Sequence, residues 1–194
     1  MTSTAETTIR TATVDTPAGA IRLAVIVDDA GERVVAAAFS DHFDRVSARV
    51  RTRFAEARWV EGETDAAASV RRYVAGDLEA VDAVVVDATG TPFQERVWAA
   101  LRAIPAGETR SYAQLAAQIG SPGAVRAVGT ANGANPVWLL VPCHRVVRSD
   151  GTVGGYGGGP DRKQWLLDHE RAVDGTDVTP RNDRFHGIVG PERP

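Results

Sequence analysis

Between Ser111 and Gly133 the chain starts a helix, ends it and starts another, and this punctuation most restricts the fold. Ser111-Tyr112-Ala113-Gln114 has the capping-box form, in which a serine and a glutamine three residues on satisfy each other's backbone amides. Tyr112, Leu115, Ala116 and Ile119 then recur at i, i+3, i+4 and i+7, one face of an α-helix. Gly120 suits the left-handed position just past a helix end. Ser121-Pro122 predicts a restart, with Ser121 as N-cap and Pro122 at the first helical position. The product is helix, tight turn, helix, the sequence form of a helix-turn-helix. Many helix pairs of this form bind nothing, so the pattern alone leaves nucleic-acid binding open.

The second helix has an unusual content. Val125 and Val128 are expected to face the core, while Gly123, Ala124, Ala127, Gly129 and Ala131 are all small. Small residues serve either close helix packing or approach to another surface, and a DNA minor groove is only about 6 Å wide. Arg126 is the one long side chain in the middle. It could bind phosphate, fill the gap left by a displaced base, or be an ordinary surface arginine.

The flanking segments set the fold class. Thr11–Val14 and Ile21–Val27 surround the turn signal Thr16-Pro17-Ala18-Gly19, and Val34–Phe39 follows Asp29-Ala30-Gly31. They predict a small antiparallel sheet. Asp44–Arg53 and Asp65–Val74 read as helices, and Val84–Val86 as a short strand before a boundary at Ala88–Pro92. Phe93, Val97, Trp98, Leu101 and Ile104 form a helical stripe, with Trp98 expected in the core. The chain is therefore α+β. Residues 1–90 read as a scaffold domain without evident chemistry, 91–171 as a second domain, and 172–194 as a poorly ordered tail.

Composition narrows the function classes. The 194 residues carry a net charge of −3. Residues 1–90 hold 10 arginines against 15 acidic groups, whereas 91–171 hold 9 basic groups against 6 acidic ones. The mildly basic half permits phosphate contacts on one face. A single cysteine excludes an internal disulfide and a zinc site made of cysteines alone. No apolar run approaches the roughly 18 residues of a membrane span, and Met1–Val14 lacks an apolar leader core. The expected location is the cytoplasm.

That cysteine stands in the most distinctive stretch. Trp138–Val141 reads as a short buried strand, followed by Pro142-Cys143-His144-Arg145-Val146-Val147. A glycine-rich segment from Gly151 to Gly159, with Tyr156 inside it, leads to a helix over Pro160–Glu170. A lone cysteine is often an inert buried residue. A free thiol ionises near pH 8.5, so a nucleophilic one needs a base or a positive field. His144 can take the proton, and Glu170 can orient the imidazole, following the logic of a catalytic triad. A metal site of Cys143, His144, His169 and Glu170 is the weaker reading, because neighbours in an extended strand point to opposite faces.

Pro142-Cys143-His144-Arg145-Val146 resembles the active-site motif of the O6-alkylguanine-DNA alkyltransferases. The resemblance runs over about residues 91–171. It includes Phe93-Gln94, Val97-Trp98, Gly107-Glu108-Thr109, Ser111-Tyr112, Ala124 to Gly129, Asn135-Pro136-Val137, Gly155-Tyr156, Arg162-Lys163 and Trp165 to Glu170. Asp15 to Gly19 is similar to the family's first hairpin. It implies an RNase H-like amino-terminal part and a mainly helical, winged-helix-like part carrying the helix-turn-helix.

The implied activity is direct, single-turnover repair of double-stranded DNA. Cys143 would accept the alkyl group from O6 of a flipped guanine, and less well from O4 of thymine. His144 and Glu170 would form the relay, and Asn135 would brace the turn. Tyr112, Val146, Tyr156 and Gly157 would contact the base, with the Gly157 amide on O6. Ser121, Gly123, Ala127 and Thr130 would line the DNA side with Arg126, which enters the stack as the base leaves. Position 157 is often serine in the family, and glycine here keeps the amide but loses a side chain. No organic cofactor is implied. Some relatives bind zinc through Cys and His in the amino-terminal part, but residues 1–90 offer only His42, so no such site is expected. The protein would act as a monomer, with cooperative binding along DNA an open variant. The alternatives are a non-catalytic binder of alkylated lesions and a helix-turn-helix regulator.

Overall fold

The computed structural model describes residues 7–173. The expectation of a poorly ordered tail over 172–194 falls almost wholly outside these residues. Four strands make one sheet. β1 (Thr8–Val14) pairs antiparallel with β2 (Ile21–Asp28), which pairs antiparallel with β3 (Gly31–Phe39). α1 (Phe43–Arg53) packs on the sheet, and the next segment returns as β4 (Arg58–Glu61), parallel to β1. The order is β3-β2-β1-β4. The sheet is thus mostly antiparallel with one parallel edge. β4 escaped the sequence reading because its four residues, Arg-Trp-Val-Glu, carry only one alternation.

Alternation sorts the strands' side chains between two cores. Leu23 and Val25 of β2 face the larger core, and Ala24 and Ile26 face the smaller one under α1, with Phe43 and Val50. α2 (Asp65–Val74) starts at Thr64, whose hydroxyl accepts from the Ala67 amide at 3.1 Å. It sends Val70 and Tyr73 into the larger core. Val84–Val86 is not a strand in its own right. It makes a single parallel bridge to Val34 at the outer edge of β3, and Val85 is left exposed. Three residues that bridge at one position provide too short a ladder to count as more.

α3 (Pro92–Arg102) opens with a capping box of Thr91 and Gln94. Trp98 is core, as expected, and its Nε1 donates to the Ala131 carbonyl at 2.9 Å. β5 (Arg110–Ser111) leads into α4 (Tyr112–Gln118), with the capping box of Ser111 and Gln114 in place. Gly120 takes φ +69°, and the Ser121 and Gly120 amides bond back to the Ala116 and Ala117 carbonyls. This is a Schellman ending.

α5 spans Val125–Gly133, so the restart lies later than Ser121-Pro122 predicts. Ser121 is not its N-cap. The Schellman ending uses the Ser121 amide, and the Ser121 carbonyl accepts from Ala124 in a turn that Pro122-Gly123 occupy. Val128 is buried, but Val125, the first residue of the helix, faces outward. Trp138–Val141 is also corrected. It is a buried turn rather than a strand, with Leu139 at φ +72°. A short apolar run fits either form by pattern alone. The turn seats on β3: the Trp138 amide donates to the Ala37 carbonyl at 2.7 Å. β6 (Val146–Val147) pairs in parallel with β5, and α6 (Pro160–Val173) closes the structure.

The larger core draws on both sides of position 91, joining Ala37 and Tyr73 to Leu101, Leu115, Val141 and Leu166. No helix of the described residues is long and apolar enough to cross a membrane.

Candidate active site

Asn135 builds the turn that carries the cysteine. Its Nδ2 donates to the Val141 carbonyl at 2.7 Å, and its Oδ1 accepts from the Val137 amide at 2.9 Å. These bonds replace a backbone ladder in a segment that is wholly buried. They hold Leu139 in the left-handed region, which side chains rarely adopt. Directly after the turn, Cys143-His144-Arg145 forms one 3-10 turn. The three side chains therefore fan out, instead of alternating as a strand would place them.

Cys143 faces a cavity of about 290 Å³. Tyr112, Trp138 and Tyr156 supply its aromatic walls, and Gly129, Asn132 and Gly133 bring the backbone of α5 to its rim. Gly155 and Gly157 complete the lining. Burial pushes the Cys143 thiol up to about 11, against the opposing pull of the Asn135 amide and the Lys163 ammonium. At neutral pH the thiol keeps its proton unless a base removes it.

His144 and Glu170 are 26 residues apart and meet in the interior, both fully buried. His144 Nε2 lies 2.9 Å from Glu170 Oε1. Burial disfavours the charge on Glu170, but His144 and Arg145 hold its carboxyl well below the usual range. An ionised carboxylate only accepts, so Nε2 carries the hydrogen and Nδ1 is the basic nitrogen. Nδ1 makes no hydrogen bond among the described residues. Burial also holds the imidazole below its ordinary value, against the raising effect of Glu170, so it is neutral and ready to accept a proton.

Sequence reasoning missed four contributors. Arg145 turns inward, with Nη2 2.8 Å from Glu170 Oε1, Nε 3.0 Å from Oε2, and Nη1 donating to the Ile104 carbonyl at 2.6 Å. The carboxylate therefore has a buried counter-ion, and the imidazole need not be one. Lys163 is fully buried and donates to the carbonyls of Val146, Val153 and Gly155, tying the glycine-rich segment to β6. Burial draws its ammonium down to about 8. Its being the chain's only lysine was the available signal. Trp138 and Asn132 line the cavity, and neither had a sequence signal beyond hydrophobicity or helix position.

The remaining expected residues fall into two groups. Tyr112, Tyr156 and Gly157 line the cavity, whereas Val146 is buried behind it, its carbonyl 2.6 Å from Lys163 Nζ. Gly123, Arg126, Ala127 and Thr130 are exposed at i, i+3, i+4 and i+7, one face of the α5 region, with Ser121 half-buried in the preceding turn. Among the described residues, no group of three or more His, Cys, Asp or Glu could hold a metal ion.

Similar proteins give this geometry its context. The family described as 6-O-methylguanine DNA methyltransferase, DNA binding domain, matches residues 92–172. A methylated-DNA–protein-cysteine methyltransferase of Mycolicibacterium paratuberculosis is 53% identical over 116 residues, which cover 58% of this chain and 70% of that protein. The chain belongs to the O6-methylguanine-DNA methyltransferase family. The Salmonella typhimurium relative is 59% identical over 98 residues, but the match spans only 57% of its length. Among solved structures, the Mycobacterium tuberculosis O6-methylguanine methyltransferase superposes with a TM-score of 0.68 at 40% identity, covering 86% of this chain and 94% of that one. The Mycobacterium tuberculosis protein in complex with DNA gives 0.66 at 38% identity, covering 84% and 94%. The methyltransferase fold thus extends through the amino-terminal part that the family match leaves out.

Gly157 is close-packed against the aromatic wall. A β-carbon on Gly157 would stand 2.6 Å from Trp138 Cζ2. Trp138 occupies the space that a serine at 157 would need.

Proposed function

We propose that this protein repairs alkylated double-stranded DNA by moving the alkyl group from O6 of guanine to Cys143, once per molecule. The observation that carries this is the His144–Glu170 contact beside a cavity-facing thiol. It supports Nδ1 as the base in a site where burial opposes ionisation of the thiol. The Cys143 sulfur bonds to the alkyl carbon as the carbon–O6 bond breaks. The thiol proton passes to His144 Nδ1, directly or through water, and the electron pair of the broken bond stays on the guanine. The Gly157 amide stabilises the oxygen as charge develops there. The thioether has no route back to the thiol, so each molecule acts once.

The other roles follow from position. Tyr112 and Tyr156 hold a flipped base, and Val146 backs the pocket. Asn135 keeps the turn in register. An O6 substituent cannot reach a buried thiol from inside a duplex, so the base must leave the stack, at a cost of a few kcal/mol. Arg126 enters the vacated space, with Ser121, Gly123, Ala127 and Thr130 beside it along the DNA. O4-alkylthymine is a poorer substrate of the same pocket. We assign DNA contact and chemistry to residues 91–171 and support of the site to 1–90. The reading places a monomer, binding singly or cooperatively along DNA, in the cytoplasm. A lesion binder or regulator without chemistry would have no use for the buried Cys143, His144 and Glu170.

The test is intact-protein mass after mixing with duplex DNA bearing one O6-methylguanine. The expected result is a gain of one CH₂, mapped to Cys143, absent in Cys143→Ala and on undamaged DNA. No gain from a folded, DNA-binding protein would leave recognition alone.

A further inference from the structure

Glu170 has a partner that no motif in the second half of the chain supplies. Tyr73, at the end of α2, is fully buried and donates its hydroxyl to Glu170 Oε1 at 2.7 Å. This is the oxygen that receives His144 Nε2 at 2.9 Å. The two residues are 97 positions apart. The tyrosine is itself held by α6: its carbonyl is bonded to His169 Nε2 at 2.8 Å, and its ring lies 5.2 Å from the His169 ring.

We propose that Tyr73 is a positioning residue of the proton relay, fixing Glu170 and limiting how strongly it holds the proton of His144. The inference rests on the alkyl-transfer reading. A carboxylate oxygen that accepts a phenolic hydrogen has less charge to offer an imidazole N–H. The hydroxyl also blocks rotation of the carboxyl group away from His144. Every charged or titratable group around the relay bears on this balance. Arg145 pairs with Glu170 from the catalytic turn, and the Gly107 amide reaches Oε2 at 3.2 Å. Lys163 and Cys143 lie on the side of the cavity, and Tyr156 adds a second buried phenol. Of these, Tyr73 alone comes from the amino-terminal half. That half is therefore more than a scaffold: one of its side chains completes the relay.

The experiment is the pH dependence of single-turnover methyl transfer by wild type and Tyr73→Phe. Without the hydroxyl, Glu170 binds the Nε2 proton more strongly and His144 becomes more basic. The imidazolium then persists to higher pH, where it cannot accept the thiol proton. The acid limb is expected to move up by about half to one pH unit, with the plateau rate changed less than about threefold. An unmoved acid limb, with rates equal or lowered evenly at all pH, overturns the proposal. If Tyr73→Phe does not fold, site-specific 3,5-difluorotyrosine at 73 keeps the shape and strengthens the donor. The limb should then move down, and an unmoved limb again overturns the proposal. Should wild type transfer nothing, the alkyl-transfer reading fails separately. The ¹⁵N-imidazole titration of His144, assigned with His144→Gln, still decides whether Tyr73→Phe raises its pKa.

Discussion

Trp138 and Gly157 share one volume: the tryptophan ring fills the place where residue 157 would carry a side chain, 2.6 Å from the β-carbon position. Trp138 is in turn fixed by its Nε1 bond to the Asn135 carbonyl at 3.0 Å and by contacts with Phe39, His42 and Tyr156. The side wall of the cavity is thus built jointly by the turn that carries the cysteine, the glycine-rich segment and the amino-terminal sheet.

Gly157→Ala should destabilise the protein by roughly 1–3 kcal/mol through overpacking. Trp138→Leu alone should also destabilise it, through lost burial. The double variant should be more stable than the sum of the two losses predicts, by more than about 0.5 kcal/mol. Urea unfolding of all four proteins measures this coupling. Additive losses would mean that the ring and residue 157 do not compete for the same space.

Glu170→Gln leaves the buried Arg145 guanidinium without its counter-ion, and a loss of about 3–5 kcal/mol is expected at pH 7. The folded-state carboxyl lies below its ordinary value of 4.5, so its contribution is present above that pH and is lost as pH falls toward the depressed value. With His144→Gln in both proteins, which removes the coupled imidazole, the stability gap made by Glu170→Gln should therefore be constant from pH 7 to about 5 and shrink below about 4.5. Urea titrations at several pH values check the sign. A gap that widens with acid would contradict an ionised Glu170.

Arg126 is exposed, and its side chain makes no hydrogen bond or ion pair among the described residues. Arg126→Ala should change stability by no more than about 0.5 kcal/mol. Transfer from an O6-methylguanine in duplex DNA should fall by about tenfold or more, since the flipped state loses its filler. Transfer from the free alkylated base, which needs no flipping, should stay within about twofold of wild type. Equal losses on both substrates would place Arg126 in the pocket rather than in the DNA stack.

Local signals in the sequence located most helices and strands correctly, because their information lies within a few residues. The capping box at Ser111 needs only four residues, and Gly120 ends α4 through its own backbone freedom. The errors arose where neighbouring structure redirected a local preference. Ser121-Pro122 reads as a helix start, but the preceding helix's ending takes the Ser121 amide. Trp138–Val141 reads as a strand, but Asn135 supplies the bonds that let it turn.

By itself the sequence determined the chemistry on offer: a single thiol next to an imidazole, a carboxylate on a later helix, and a thin helix with one long basic side chain. It could not determine what surrounds them. Packing brought Glu170 to His144 across 26 residues, turned Arg145 inward as the carboxylate's counter-ion, and delivered Tyr73 from 97 residues away. Those partners set which ring nitrogen is basic, while burial of Cys143 sets how firmly the thiol holds its proton. Such effects depend on distance and burial, which no spacing along the chain encodes.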